Sequence, residues 1–273
     1  MYKFVWYILL FLWALTFQCS AKLVAVKDSV PGTYNFWLYS PKQISDSDTI
    51  AKPLVIFLHG RSLCGSNMNR VLRYGSVDAI IGGRHLDGYL IAPQSPGQSW
   101  NPGKIMKIVD WVIAKNKVDT TRIYVLGMSM GGYGTLDLVA TYPNRIAAAM
   151  ALCGGLTVRK PSNLNKVPLW IIHGTADRAV SVNESRKVVN AMKKSGNTDL
   201  LRYDEWKGAS HGRPARIFYL NKTYEWLFKH SLTDTPRVVN KEINITPADL
   251  RHAYGDGFNH RETLKSYQQK YNR

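Results

Sequence analysis

Cysteine is scarce in this chain, with three residues in 273. That is too few for a disulfide scaffold, and none stands in a zinc-ligand spacing. Acidic side chains are also sparse, 19 Asp and Glu against 36 Lys and Arg, so the net charge is +17. The 21 Gly and 12 Pro follow no collagen period, and no repeat at solenoid spacing occurs. No lysine follows a glycine-rich turn in phosphate-loop register, and no dinucleotide-binding fingerprint is present. Hydrophobic residues at 45% and charged residues at 20% form an ordinary globular balance, which excludes disorder throughout. What is left is one compact domain long enough to bury a substantial core.

A long apolar run occurs at the start, from Phe4 to Phe17, after the single charge of Lys3. It closes at Gln18-Cys19-Ser20-Ala21 and is shorter than the about 20 residues of a membrane span. A basic start, an apolar stretch and small residues describe an export signal over residues 1–21, with cleavage after Ala21. The competing reading places a lipid on Cys19, and Gln18 just before it argues against that.

From there the chain alternates in pattern. Leu23 to Val26, Thr33 to Tyr39, Pro53 to Leu58 and Tyr89 to Ala92 read as strands, the third a continuous apolar run of the kind covered on both faces. Ile105, Ile108, Val109, Val112 and Ile113 recur at helical spacing. Strands over Arg122 to Leu126, Ile146 to Leu152, Leu169 to Ile172 and Leu200 to Trp206 follow, with helices over Tyr133 to Tyr142, Asn183 to Lys194 and Pro214 to Phe228 between and after them. Such alternation predicts an α/β fold, a mostly parallel sheet with helices on both faces. Ligands in these sheets gather beyond the carboxyl ends of the strands.

Gly127-Met128-Ser129-Met130-Gly131 falls at one such end. Alone, Gly-x-Ser-x-Gly is a weak signal; between a strand and a helix it places the serine on a sharp, strained turn with its hydroxyl above the sheet. The plain alternative is a glycine-rich turn of structural purpose only. A serine needs a base, and the base needs an orienting group. Of seven histidines, His59 and His173 end strands in His-Gly pairs and are expected to brace loops, while His85, His230, His252 and His260 read as surface residues. His211 lies in a flexible loop after the strand ending at Trp206, and Asp177 follows the strand ending at Ile172. Asp177 as a turn cap, or Asp204 and Glu205 as the acid, are the competing assignments. Serine, acid and histidine in the order Ser129, Asp177, His211 match the α/β-hydrolase order.

The stretch from Val118 to Gly132 resembles the nucleophile region of α/β-hydrolase esterases of the carbohydrate esterase, feruloyl esterase and polyhydroxyalkanoate depolymerase-like group, near the phospholipase/carboxylesterase type. His59-Gly60-Arg61 resembles the oxyanion loop of that group and His173-Gly174-Thr175-Ala176-Asp177 its acid loop, the similarity running over about residues 33 to 230. The resemblance implies an α/β-hydrolase domain over residues 22–234 and an oxyanion hole made by the backbone N–H groups of Arg61 and Met130. It implies a carboxylic-ester hydrolase working without metal or organic cofactor on a small-molecule or carbohydrate ester. The Arg61 side chain departs from the small or apolar residue of that group; pairing with an acid is the favoured expectation, over steering an anionic substrate.

Trp100, in the loop after Tyr89 to Ala92, is a candidate substrate-binding wall or a packed loop anchor. Cys64 and Cys153 both follow strand ends, and the sequence leaves a bridge between them open. Residues 235–273 read as a basic helical extension or tail, with helix starts at Thr246-Pro247 and, with a capping-box acid, at Asn259-His260-Arg261-Glu262. The spread of positive charge suits peripheral contact with anionic surfaces, and no nucleic-acid module is present. A peptidase of prolyl-oligopeptidase type and a noncatalytic envelope-binding protein are the rival functions.

Overall fold

The structure is a computed structural model and describes residues 21–42 and 50–254. The export-signal stretch up to Ser20 and the second C-terminal helix start fall outside the described residues. No described helix is long and apolar enough to cross a membrane.

Eight strands form one sheet: β1 (Lys22–Val26), β2 (Phe36–Ser40), β3 (Lys52–Leu58), β4 (Tyr89–Pro93), β5 (Val118–Met128), β6 (Ala148–Leu152), β7 (Leu169–Gly174) and β8 (Leu201–Trp206). Their order is β1-β2-β4-β3-β5-β6-β7-β8, antiparallel across β1, β2 and β4 and parallel from β4 onward. This is the mostly parallel α/β sheet that the alternating pattern predicts, in the α/β-hydrolase architecture that the resemblance implies.

The central strands are apolar without interruption because both faces are covered. In β3, Val55 and Phe57 join one buried cluster while Leu54, Ile56 and Leu58 join the other, the period of two made physical. One face is covered by α2 (Pro102–Lys115), α3 (Met130–Thr141) and α4 (Asn183–Ser195). The stripe Ile105, Ile108, Val109 and Val112 of α2 is wholly buried there, and Asn101 caps its start by accepting from the Lys104 N–H. The other face is covered by α1 (Ser76–Ile81), α5 (Asn221–Phe228) and α6 (Pro247–His252).

Three local departures from the sequence expectations have structural causes. The helix expected from Pro214 to Phe228 is two pieces, a 3-10 turn over Pro214–Tyr219 and α5, because Leu220 is extended. That break lets Thr223 and Tyr224 donate their hydroxyls back to the Ile217 and Phe218 carbonyls. β5 begins earlier than its apolar run, with a register shift opposite Lys52 and Leu54 where Asp119 accepts from the Thr121 N–H and hydroxyl. His230, expected at the surface, is buried against Trp226, its Nε2 accepting from the Asn240 N–H.

The described part of residues 235–254 packs on the same domain. Val239, Ile245, Leu250 and Ala253 enter the core beside α5, and Arg237 donates to the carbonyls of Ile146, Ala147 and Lys166. α6 starts with a capping box in which Thr246 and Asp249 satisfy each other's backbone N–H groups.

Candidate functional site

Parallel strands all end on one side, so the loops after β3, β5, β7 and β8 meet above the sheet. The turn between β5 and α3 is the tightest. Ser129 sits there alone between Met128 and Met130 with φ +60 and ψ −124, a conformation L residues rarely adopt. Its N–H bonds the Leu152 carbonyl at the end of β6, and its own carbonyl accepts from Tyr133 in the first turn of α3. Gly131 makes the turn feasible: a Cβ there would run into the Leu58 and His59 carbonyls of the neighbouring strand end.

The loop after β3 is held from several sides. His59 is fully buried; its Nε2 accepts from the Ser95 N–H at 3.1 Å, so Nδ1 carries the ring proton and donates to the Gly60 carbonyl at 2.8 Å. Burial pushes its pKa down to about 4. Tyr74 accepts from the Gly60 N–H at 2.8 Å, and burial raises its phenol pKa. Arg61 opens a short 3-10 turn and Met130 opens α3, positions whose N–H groups have no partner within their own helices. Both residues line the cavity that Ser129 faces.

Across that cavity, the loops after β7 and β8 bring two distant residues into contact. His211 Nδ1 lies 2.6 Å from Asp177 Oδ2. The Asp177 side chain is fully buried and that of His211 is 26% exposed. The other carboxylate oxygen accepts from the N–H groups of Ala179 and Val180, so Asp177 caps its own turn as well as holding the ring. Burial opposes ionisation, but the Val180 N–H, the His211 ring and the Ala179 N–H outweigh it and hold the carboxyl below the usual range. A second, fully buried histidine stands behind: His173 Nε2 is 3.3 Å from Asp177 Oδ2 and donates to the Val180 carbonyl, while Nδ1 meets Ser185 Oγ at 2.8 Å.

Asp204 and Glu205 are taken by other contacts. Asp204 accepts from Trp170 Nε1, and Glu205 binds Arg186 through both oxygens.

Ser129 and His211 line one cavity of 710 Å³ together with Tyr74, Trp100 and Tyr133. No hydrogen bond joins Ser129 Oγ to His211 among the described residues. Trp100 is both wall and anchor. It packs edge-on against His59 and Tyr34 and over Gly134, and its Nε1 donates to the His59 carbonyl, so it offers the cavity an apolar face without a donor. Arg61 makes no ion pair among the described residues, contrary to the favoured expectation. The thiols of Cys64 and Cys153 are both free. Cys153 Sγ, a His173 ring nitrogen and the Asp177 carboxylate lie within 4.8 Å of one another. Their hydrogen bonds to His211, Ser185, Val180 and the Asp177 turn already occupy that donor set.

Tyr74 and Tyr133 are cavity residues the sequence did not single out. Tyr133 had a weak cue, standing in the glycine-rich start of α3, and its hydroxyl donates to Glu184 at 3.2 Å with the phenol pushed up to about 12 by burial and that carboxylate. Tyr74 had none, because only the fold brings it under Gly60.

The chain that carries this site has similar sequences and folds among known proteins. The phospholipase/carboxylesterase family model matches residues 95–230, a span that contains Ser129, Asp177 and His211. Over that span the chain is similar to that family. Within the curated relatives, it is 25% identical over 170 residues to acetylxylan esterase A of Emericella nidulans, covering 50% of this chain and 52% of that one. It is 29% identical over 149 residues to feruloyl esterase B of Neurospora crassa, covering 46% of each. The chain thus spans about half the length of these curated relatives. A crystal structure of a thermostable esterase superposes with a TM-score of 0.63 at 27% identity, over 78% of this chain and 63% of that one.

Proposed function

We propose that this protein hydrolyses carboxylic esters, with carbohydrate-linked or other small acyl esters as substrates and Ser129 as nucleophile. The observation that carries the reading is the 2.6 Å bond from His211 to the buried Asp177, with His211 and Ser129 on one cavity. His211 Nε2 takes the hydroxyl proton as Ser129 Oγ attacks the acyl carbon, and Asp177 holds the ring in the required tautomer and stabilises the imidazolium. The oxyanion that forms is met by the N–H groups of Arg61 and Met130, fixed before the charge appears; losing one such donor typically costs about 3 kcal/mol of barrier. His211 returns the proton to the departing alcohol, and water then repeats the sequence to release the acid. The chemistry calls for no metal or organic cofactor. The names of the acetylxylan and feruloyl esterases support carbohydrate-linked esters as the substrate class. Export through the leader of residues 1–21 belongs to the same proposal, on the strength of its apolar run.

Ser129→Ala is expected to lower kcat on p-nitrophenyl acetate by about 10³-fold or more while thermal unfolding stays unchanged. It should also abolish labelling by a fluorophosphonate probe. Full turnover in that variant would refute the assignment, and an unlabelled wild-type chain would favour a noncatalytic binding protein.

A further inference from the structure

The charges around the cavity are lopsided. Asp137 is the one carboxylate lining it among the described residues, and it is 3% exposed and already satisfied. Its oxygens accept from the Thr157 N–H, the Thr157 hydroxyl and the Val158 N–H. Buried and held by three hydrogen bonds, Asp137 presents little acceptor surface to a ligand. An adjoining depression shares His211, Gly212 and Ala179 with the main cavity, and no acid lines it.

Two arginines belong to these same walls. Arg61 lines the main cavity and Arg178 the adjoining one, both exposed. Neither forms an ion pair among the described residues. Nearby arginines are held: Arg70 donates to the Ser62 carbonyl, and Arg186 is locked on Glu205. The positions are as telling as the lack of partners. Arg61 supplies a proposed oxyanion N–H from its own backbone, so its side chain starts beside the reacting carbonyl. Arg178 directly follows Asp177, so it starts beside the group that orients His211. A guanidinium presents a planar fork that matches a carboxylate, which adds geometric selectivity to simple long-range attraction.

We infer that the site is selective for esters that carry a carboxylate close to the scissile bond, bound by Arg61 and Arg178. This rests on the serine-hydrolase reading above. The carboxylate can belong to the acyl part or to the alcohol part, as in an acylated acidic sugar; the chemistry of recognition is the same.

Paired substrates separate the cases. In the acyl arm, mono-p-nitrophenyl glutarate is compared with p-nitrophenyl butyrate. In the alcohol arm, 4-acetoxybenzoate is compared with its methyl ester. The ratio of kcat/KM values, charged over neutral, is expected to be about tenfold in at least one arm, the scale of one charge-assisted contact. It should fall to near one in the Arg61→Gln/Arg178→Gln double variant, and shrink when salt is raised from about 0.01 to about 1 M. Because each ratio is internal to one protein, a general loss of activity does not mimic the effect. Calorimetric binding of 4-acetamidobenzoate and its methyl ester to Ser129→Ala reads the same preference without turnover, so failure of the chemistry and failure of the selectivity are told apart. Ratios near one in both arms together with equal binding of the two amides, or a preference that survives in the double variant, would overturn the inference.

Discussion

The two sides of the cavity are built by different means. On the side of Ser129, the parts are backbone: a serine at φ +60, a glycine pressed on the Leu58 and His59 carbonyls, and two helix-start N–H groups. On the side of His211, the parts are side chains from two loops, joined by hydrogen bonds to one buried carboxylate. Two histidines make the contrast plain. His59 is fully buried with both nitrogens committed to the backbone, whereas His211 commits one nitrogen to Asp177 and is partly open to the cavity. The backbone of the first side is thus part of the fold itself, and damage to that backbone should be felt as instability. The second is hung on the fold, and damage there should be felt as turnover.

The sharpest way to break this comparison is Gly131→Ala. The added methyl meets backbone oxygens of β3 and its following residue, which cannot move aside as a flexible side chain would. Stability is expected to drop by about 3 kcal/mol or more, read from denaturant unfolding. An unchanged midpoint would show that the turn is not rigidly seated.

A second test uses acid. The folded-state pKa of His59 is lowered to about 4 from an ordinary 6.5, so between those values the unfolded chain binds the extra proton and the folded one does not. Stability is therefore full above pH 6.5 and is lost as pH falls toward 4, by on the order of 3 kcal/mol in total. Asp177 adds in the same direction at lower pH, since its carboxyl is held below the usual range. Denaturant midpoints at a series of pH values check the slope, which should flatten in His59→Gln if that variant folds.

The smallest expected effect sharpens the other side. His173 holds the Asp177 turn by donating from Nε2 to the Val180 carbonyl. His173→Gln can place an amide N–H near that nitrogen and should keep kcat within about threefold. His173→Asn reaches only as far as Nδ1 and should lose about tenfold in kcat with KM unchanged, the scale of one buried hydrogen bond. Equal kinetics for the two variants would remove His173 from the support of the acid.

How much of this was readable beforehand differs from residue to residue. The β3 run, the α2 stripe and the serine between strand and helix were legible because each is a local pattern with its own period. His211 and Asp177 were legible as residues on strand-end loops, through chain order. Tyr74 under Gly60, the lack of an ion pair at Arg61 among the described residues and the buried His230 were not, since each depends on what a remote segment places beside it.

The sequence by itself determined the alternation of strands and helices, the glycines flanking Ser129 and the excess of basic groups, because period, steric size and charge are properties of the chain. Tertiary structure decided which of those groups meet. The order that seats β3 between β4 and β5 is set by how the apolar faces of the whole sheet are buried together. That burial, a sum over many distant residues, is what puts Tyr74 against Gly60, leaves two thiols unlinked and gathers the loops of β3, β5, β7 and β8 around one cavity.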